Sequence, residues 1–243
     1  MQKRIINLIK KGLQKLGEVL YPYRCPFCGK MIPEGICDSC RNILEEVSES
    51  CCRKCGKPIR NEQKEYCTDC EKRKPPFEEG RSVWLHKEPV NQAIYRFKYQ
   101  NQRYYGNLFA DCLFEKFSGE LKRWQIEAIV PVPLHWKKQR RRGYNQAEIL
   151  GARLSRLSGI PLRLDLVFRT GYTIPLKQLN PTERRKMLQN AFYVSEEAAR
   201  CRNVLLIDDI YTSGATIGTI ARKMKQKGVS KVYFFTISIG QGF

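Results

Sequence analysis

The chain has 243 residues, with 44 Lys+Arg against 24 Asp+Glu for a formal net charge of +20, and 42% of it is hydrophobic. This balance excludes a disordered or collagenous polypeptide and supplies enough apolar matter for a core. No stretch approaches the ~18 uninterrupted apolar residues of a membrane span and there is no fixed-period repeat array, so the expectation is a cytoplasmic protein with one large domain and a small companion.

In residues 1–24, Ile5, Ile6, Leu8, Ile9, Leu13, Leu16, Val19 and Leu20 recur on one side of a helix, interrupted by Lys3, Arg4, Lys10, Lys11 and Lys15. The spacing predicts an amphipathic helix packed on the body of the protein or on a partner, with a membrane-surface helix as the other reading. The unbroken apolar run and small-residue cleavage site of a secretory signal are both missing.

Nine of the eleven cysteines lie in residues 25–70, and eight of them form CxxC pairs: Cys25/Cys28, Cys37/Cys40, Cys52/Cys55 and Cys67/Cys70. An i,i+3 spacing lets a tight turn aim two thiolates at one ion, and two such turns complete a tetrahedral zinc shell. Four pairs therefore make two structural zinc sites. Sequential pairing needs loops of eight and eleven residues, both easily closed, while an interleaved cross-brace would use the same ligands in another order. An iron–sulfur cluster is the chemical alternative. Gly29 and Gly56 directly follow Cys28 and Cys55, where a knuckle turn calls for a left-handed residue. Cys51 adjoins Cys52, but the CRKCGKP segment matches CPFCGK with Cys52 as the ligand.

Residues 1–80 hold 16 Lys+Arg and 12 Asp+Glu, and the remaining 163 hold 28 and 12, so the basic surplus belongs to the second part of the chain once eight thiolates are counted. Residues 71–80, charged and with a Pro pair, are the expected linker, leaving 81–243 as the large domain. There, β-rich runs at 126–133, 162–168, 203–208 and 232–239 alternate with helical patterns at 89–99, 106–117, 144–158 and 216–227, which predicts βαβ units and a mainly parallel sheet. Cys112 is expected to be a small buried hydrophobe, and Cys201 receives no role.

The segment 204–216, VLLIDDIYTSGAT, is an apolar strand that ends in two acids and turns through small hydroxylic residues into a helix. Backbone N–H groups of Thr212, Ser213, Gly214, Ala215 and Thr216 can converge on a phosphate at the positive end of that helix. Asp208 and Asp209, at the carboxyl end of the strand, can accept hydrogen bonds from ribose hydroxyls and help hold magnesium. There is no GxxxxGK[ST] motif of a P-loop nucleotidase.

This segment resembles the phosphate loop of the type I phosphoribosyltransferases. Residues 128–151, the cysteine-paired N-terminal region, and Arg169-Thr170, Gln178, Arg185 and Asn190-Ala-Phe extend the resemblance to the ComF (ComFC) family of competence proteins over nearly the whole chain. The resemblance implies a double zinc ribbon followed by a type I phosphoribosyltransferase-like α/β domain, and a role in natural transformation by imported single-stranded DNA. It implies that Asp208 and Asp209 face the ribose hydroxyls and magnesium of phosphoribosyl pyrophosphate (PRPP), with 212–216 around its 5′-phosphate. It also implies a helicase-like ComFA partner.

A second loop, Pro133, Leu134 and His135 at a strand end, is a candidate for contact with pyrophosphate. Lys137, Lys138, Arg140, Arg141 and Arg142 suit pyrophosphate or a nucleic-acid backbone equally, the plain alternative being a solvated basic face. His135 abuts this loop and is expected at the surface, whereas His86 receives no role. Thr212 stands where purine-salvage relatives often carry an acidic general base, and threonine cannot act as one near neutral pH.

Three functional readings follow: a PRPP binder or phosphoribosyltransferase with an unidentified acceptor, a DNA-handling protein that binds single strands, and a scaffold with a vestigial site. For the second, basic and aromatic residues interleave at Tyr95-Arg-Phe-Lys-Tyr99 and Arg103-Tyr-Tyr105. The plain alternative there is that Phe97 packs in the core with Val90 and Ile94.

Overall fold

The computed structural model describes residues 23–59, 61, 63–170 and 190–241. The helix expected over 1–24 falls almost entirely outside these residues, as do Gln178 and Arg185. The chain divides into two compact units, one ending at residue 44 and the other starting at residue 45, so the boundary runs between the two cysteine sets.

Among its described residues the first unit holds one short helix, α1 (Asp38–Arg41), and turns on either side of it. The second contains α2 (Thr68–Arg73), β1 (Gly80–Leu85), α3 (Val90–Tyr99), α4 (Tyr105–Arg123), β2 (Ala128–Pro131), α5 (Trp136–Arg142), α6 (Gln146–Ser158), β3 (Val167–Arg169), β4 (Phe192–Val194), β5 (Asn203–Tyr211), α7 (Ala215–Gln226) and β6 (Lys231–Ile239). The fold is α/β: a four-stranded sheet in the order β1-β6-β5-β2, parallel at every pairing, with a separate antiparallel β3–β4 hairpin.

β5 and β6 are nearly continuous apolar runs because the sheet is covered on both faces. On one face Val204, Leu206, Val232 and Phe234 share a core with Ile217, Ile220 and Met224 of α7, with the β3–β4 hairpin, and with Cys52, Cys55, Cys67 and Cys70. Residues of opposite parity point the other way. Phe235 meets Phe117 at 5.3 Å between ring centroids, and Tyr233 stacks on Trp124 at 4.5 Å. α7 buries Ile217, Ile220, Ala221 and Met224, the spacing of a single helical face.

Residues 71–80, expected as a linker, finish α2, bury Phe77 completely and lead into β1. Two other expectations are corrected. A parallel strand over 162–168 shrinks to an isolated bridge from Leu162 to Ile129 and the hairpin strand β3, because Leu164 is exposed and the chain leaves the sheet after its first contact. Cys112 is half-exposed, at the edge of the buried face formed by Phe109 and Leu113 of α4.

Candidate functional site

The eight paired cysteines assemble in sequential order. Cys25, Cys28, Cys37 and Cys40 form one cluster and Cys52, Cys55, Cys67 and Cys70 the other, with all four sulfurs of each set within 4.8 Å of one another. The knuckles are built alike. Cys25 N donates to Lys30 O and Gly29 N to Cys25 O; Cys52 N donates to Lys57 O and Gly56 N to Cys52 O. Gly29 and Gly56 take φ +78° and +77°, the left-handed geometry this turn demands. Cys37 and Cys67 each cap a short helix that carries the fourth ligand, Cys40 or Cys70.

A tetrahedral zinc–thiolate shell, at a zinc–sulfur distance of 2.3 Å, has a sulfur–sulfur edge of about 3.8 Å. Cys28 and Cys37 are 3.6 Å apart and Cys55 and Cys67 are 3.7 Å apart, so both cages fit zinc. With all four sulfurs of each set within 4.8 Å of one another, each cage closes around a single ion and not around a multi-iron cluster, in keeping with zinc. Cys51 lies outside the second cage, on a bridge to Pro58.

The second concentration of chemistry lies at the carboxyl edge of the sheet, where open parallel sheets bind ligands. Asp208 and Asp209 stand near the end of β5, and the turn 212–214 leads into α7. Gly214 starts the helix at φ +72°, and a Cβ there would lie 2.3 Å from the Tyr211 hydroxyl, so only glycine lets the loop close over that ring. Thr212 and Ser213 are exposed, and the Ser213 hydroxyl accepts from Ala215 N at 3.4 Å.

β2 lies beside β5, and Val132 N donates to Ile207 O, which sets the loop through Pro133, Leu134 and His135 next to the acid pair. Lys98 of α3 forms an ion pair with Asp209 at 2.9 Å. Burial, and then the charge of Asp209, push the Asp208 carboxyl up to about 7. Burial lowers the Arg169 guanidinium, an effect that the Asp208 carboxylate opposes. Desolvation against the surrounding protein, and then the neighbouring charges of Arg142 and Arg169, lower the Lys138 ammonium, although the residue as a whole is exposed. Lys98 and Arg169, from two elements, thus converge on the two acids, and Lys138 of α5 neighbours both of these cations.

The run 137–142 lies in a helix, α5, where the sequence pattern predicts no element. His135 is buried, contrary to the surface position expected for it, because its Nδ1 caps this helix by accepting from Lys137 N at 3.2 Å. Lys137, Lys138, Arg140 and Arg141 are exposed. The Arg142 guanidinium donates to the Tyr99 hydroxyl at 2.9 Å and to Gln146 Oε1 at 2.9 Å. Tyr95 and Tyr99 are exposed with ring centroids 4.9 Å apart, and Trp136 is also exposed. Arg141 and Arg142 lie over the Tyr99 ring, and Lys137 lies over Trp136. Phe97, between the two tyrosines, is fully buried beside Val90 and Ile94. One helix therefore serves the core with one face and presents aromatic rings on the other. Tyr105 of the second interleaved motif is buried.

The double zinc ribbon domain family matches residues 16–71. "Competence protein F" of Haemophilus influenzae is 32% identical over 220 residues, covering 87% of this chain and 95% of the relative. This chain belongs to the ComF (ComFC) family of competence proteins. "Competence protein ComFC" of Bacillus subtilis is 29% identical over 213 residues, 84% of each chain. "DNA utilization protein YhgH" of Escherichia coli K12 is 26% identical over 201 residues, 82% of this chain and 87% of the relative.

Four contributors to this ComF-family site were not foreseen from the sequence. Lys98 and Arg169 reach the acids from distant elements. Asn145 caps α6 by accepting from Ala147 N and donates to Val132 O at 3.1 Å, tying the basic segment to the loop after β2. Arg73 Nη1 donates to Ser213 O at 3.0 Å. The conspicuous Asn145-Gln146 after Gly143 was a usable signal for the cap; the other three pairings join residues 39 to 140 positions apart and have no local signature. No helix among the described residues is long and apolar enough to cross a membrane.

Proposed function

We propose that this protein acts in DNA uptake, handling single-stranded DNA, and that the loop 208–216 is a magnesium-dependent PRPP-binding site within that role. The DNA assignment draws on the names of the relatives, competence proteins and DNA utilization proteins. The phosphoribosyl reading is carried by one observation: a paired acid and a glycine-started helix lie at the carboxyl edge of a parallel sheet, beside a loop and helix rich in cations. In this reading the N–H groups of 212–216 hold the 5-phosphate, and Asp208 and Asp209 accept from the ribose hydroxyls. Lys138, Arg169 and the loop 133–135 face the pyrophosphate side. Magnesium, when bound, would neutralise charge between the acids and the diphosphate. Transfer to an acceptor would appear as pyrophosphate release. Its absence with binding intact would leave a sensing role, and Thr212 offers no general base for transfer.

The test is calorimetric titration of PRPP into the zinc-loaded chain with and without magnesium, and into Asp208→Asn/Asp209→Asn. Saturable magnesium-dependent binding that the double variant loses is expected; no binding to the folded wild type would defeat the reading.

Single-strand binding is assigned to the face formed by α3 and α5, where exposed Tyr95, Tyr99 and Trp136 lie among Lys137, Arg140, Arg141 and Arg142. Bases stack on such rings while cations neutralise the backbone, and affinity falls steeply with salt. The first zinc ribbon, a small unit of its own, is the proposed platform for a helicase-like partner.

A further inference from the structure

The two zinc clusters share a local design but not a setting, and the second lies beneath the phosphate loop. All four of its cysteines belong to the apolar core that also contains Phe77, Tyr211, Phe234, Ile217 and Ile220. Phe77 meets Tyr211 edge-on at 6.1 Å and Phe234 at 5.0 Å, and Tyr211 stacks on Phe234 at 4.6 Å. Tyr211 in turn packs directly against Gly214 of the loop.

A polar chain runs the same way. Lys57, whose carbonyl closes the Cys52 knuckle, donates from Nζ to Asp69 at 2.7 Å. Asp69 pairs at 3.4 Å with Arg73, one helical turn further on in α2, the helix that holds Cys70. Arg73 then donates to the Ser213 carbonyl. In a trans peptide the carbonyl and the following N–H point in opposite directions. A guanidinium that holds the Ser213 oxygen from outside therefore turns the Gly214 N–H to the other side of the loop.

We propose that the second four-cysteine site is the positioning element of the phosphate loop, with Arg73 and Tyr211 transmitting the fixed geometry of the zinc knuckle to the Ser213–Gly214 peptide. Affinity for a phosphoryl group at 212–216 then depends on occupancy of the Cys52, Cys55, Cys67 and Cys70 cage and not on the Cys25 cage. The inference rests on the reading of 212–216 as a phosphate loop. It assigns Arg73 and Tyr211 as positioning residues, since neither is placed on the ligand.

The experiment compares full-length zinc-loaded wild type with Arg73→Ala, Arg53→Ala and Cys28→Ser. Arg73→Ala removes an exposed guanidinium and should retain both zinc ions and the wild-type melting temperature. Its Gly214 and Ala215 amides should exchange hydrogen about tenfold faster, and its affinity for magnesium–PRPP should fall about tenfold, the loss of one charge-assisted hydrogen bond. Arg53→Ala takes a cation from the same ribbon, where its partner is Glu65, and should change neither readout. Cys28→Ser should lose one zinc yet bind PRPP as wild type does, until a chelator removes the zinc that remains.

Wild-type exchange and PRPP affinity in Arg73→Ala would overturn the proposal, as would an equal loss in Arg53→Ala or loss of PRPP binding in Cys28→Ser. If the wild type itself ignores PRPP, the phosphoribosyl reading fails alone, because hydrogen exchange at Gly214 and Ala215 still decides whether Arg73 positions the loop.

Discussion

The same knuckle occurs twice in this chain and is put to different use. In the first cluster Cys28 is exposed and Cys37 half-exposed; in the second every cysteine is buried. The hydrogen-bond pattern of the turn is identical in both, so the local sequence CxxCG dictates the knuckle and has no say in its surroundings. The flanking chain supplies the difference. Gly80 N donates to Lys54 O at 2.8 Å, and a Cβ on Gly56 would come within 2.9 Å of Gly80 O, so the second knuckle is knitted to the start of β1. Residues 45–47 run along the same strand, with Val47 N donating to Val83 O. One zinc ribbon has become part of the floor of the α/β domain while the other has remained a separate unit.

Breaking the floor should have the largest effect. Phe77→Ala removes a ring that joins the second cluster to Tyr211 and Phe234 and should cost about 3–5 kcal/mol in urea denaturation. Cys28→Ser should halve the zinc content measured by native mass spectrometry and leave the main unfolding transition in place. Next in size is Tyr99→Ala on the basic face, expected to weaken single-stranded DNA binding by about 1–3 kcal/mol in fluorescence anisotropy with no change in melting temperature, since the ring is exposed.

Lys57→Ala should destabilise the second unit by about 1–3 kcal/mol, because the Lys57 side chain is only 6% exposed and leaves Asp69 without its short partner. The exposed Arg53–Glu65 pair in the same ribbon gives the control: Arg53→Ala should cost less than about 1 kcal/mol. Smallest in energy at low salt, though diagnostic, is Arg141→Ala/Arg142→Ala, which should reduce the slope of log affinity against log salt by about 1.4 if both residues meet phosphates of a single strand.

Much of this was legible in advance where the local signal was strong. The cysteine spacing gave the two sets, and the geometry chose sequential pairing over the cross-brace. The elements β5, β6, α3, α6 and α7 lie close to their expected spans because apolar periodicity, a capping residue or a glycine marked their limits. β1 went unnamed because residues 71–80 looked like a linker, their charge and prolines masking the buried Phe77. α5 has a basic or amide side chain at six of its seven positions and no apolar stripe; it forms between the His135 cap and left-handed Gly143, through the good helix propensity of Lys, Gln and Arg. That cap is also why His135 is buried. Lys98 against Asp209 and Arg73 against Ser213 were invisible because tertiary packing, not neighbouring sequence, brings them together.

The measurement that bears most directly on the central claim is calorimetry of PRPP with magnesium on three zinc-loaded proteins: wild type, Cys28→Ser and Asp208→Asn/Asp209→Asn. Saturable binding is predicted for the first two and none for the third. Equal binding by all three, or no binding by any, would contradict a phosphoribosyl site at the carboxyl end of β5.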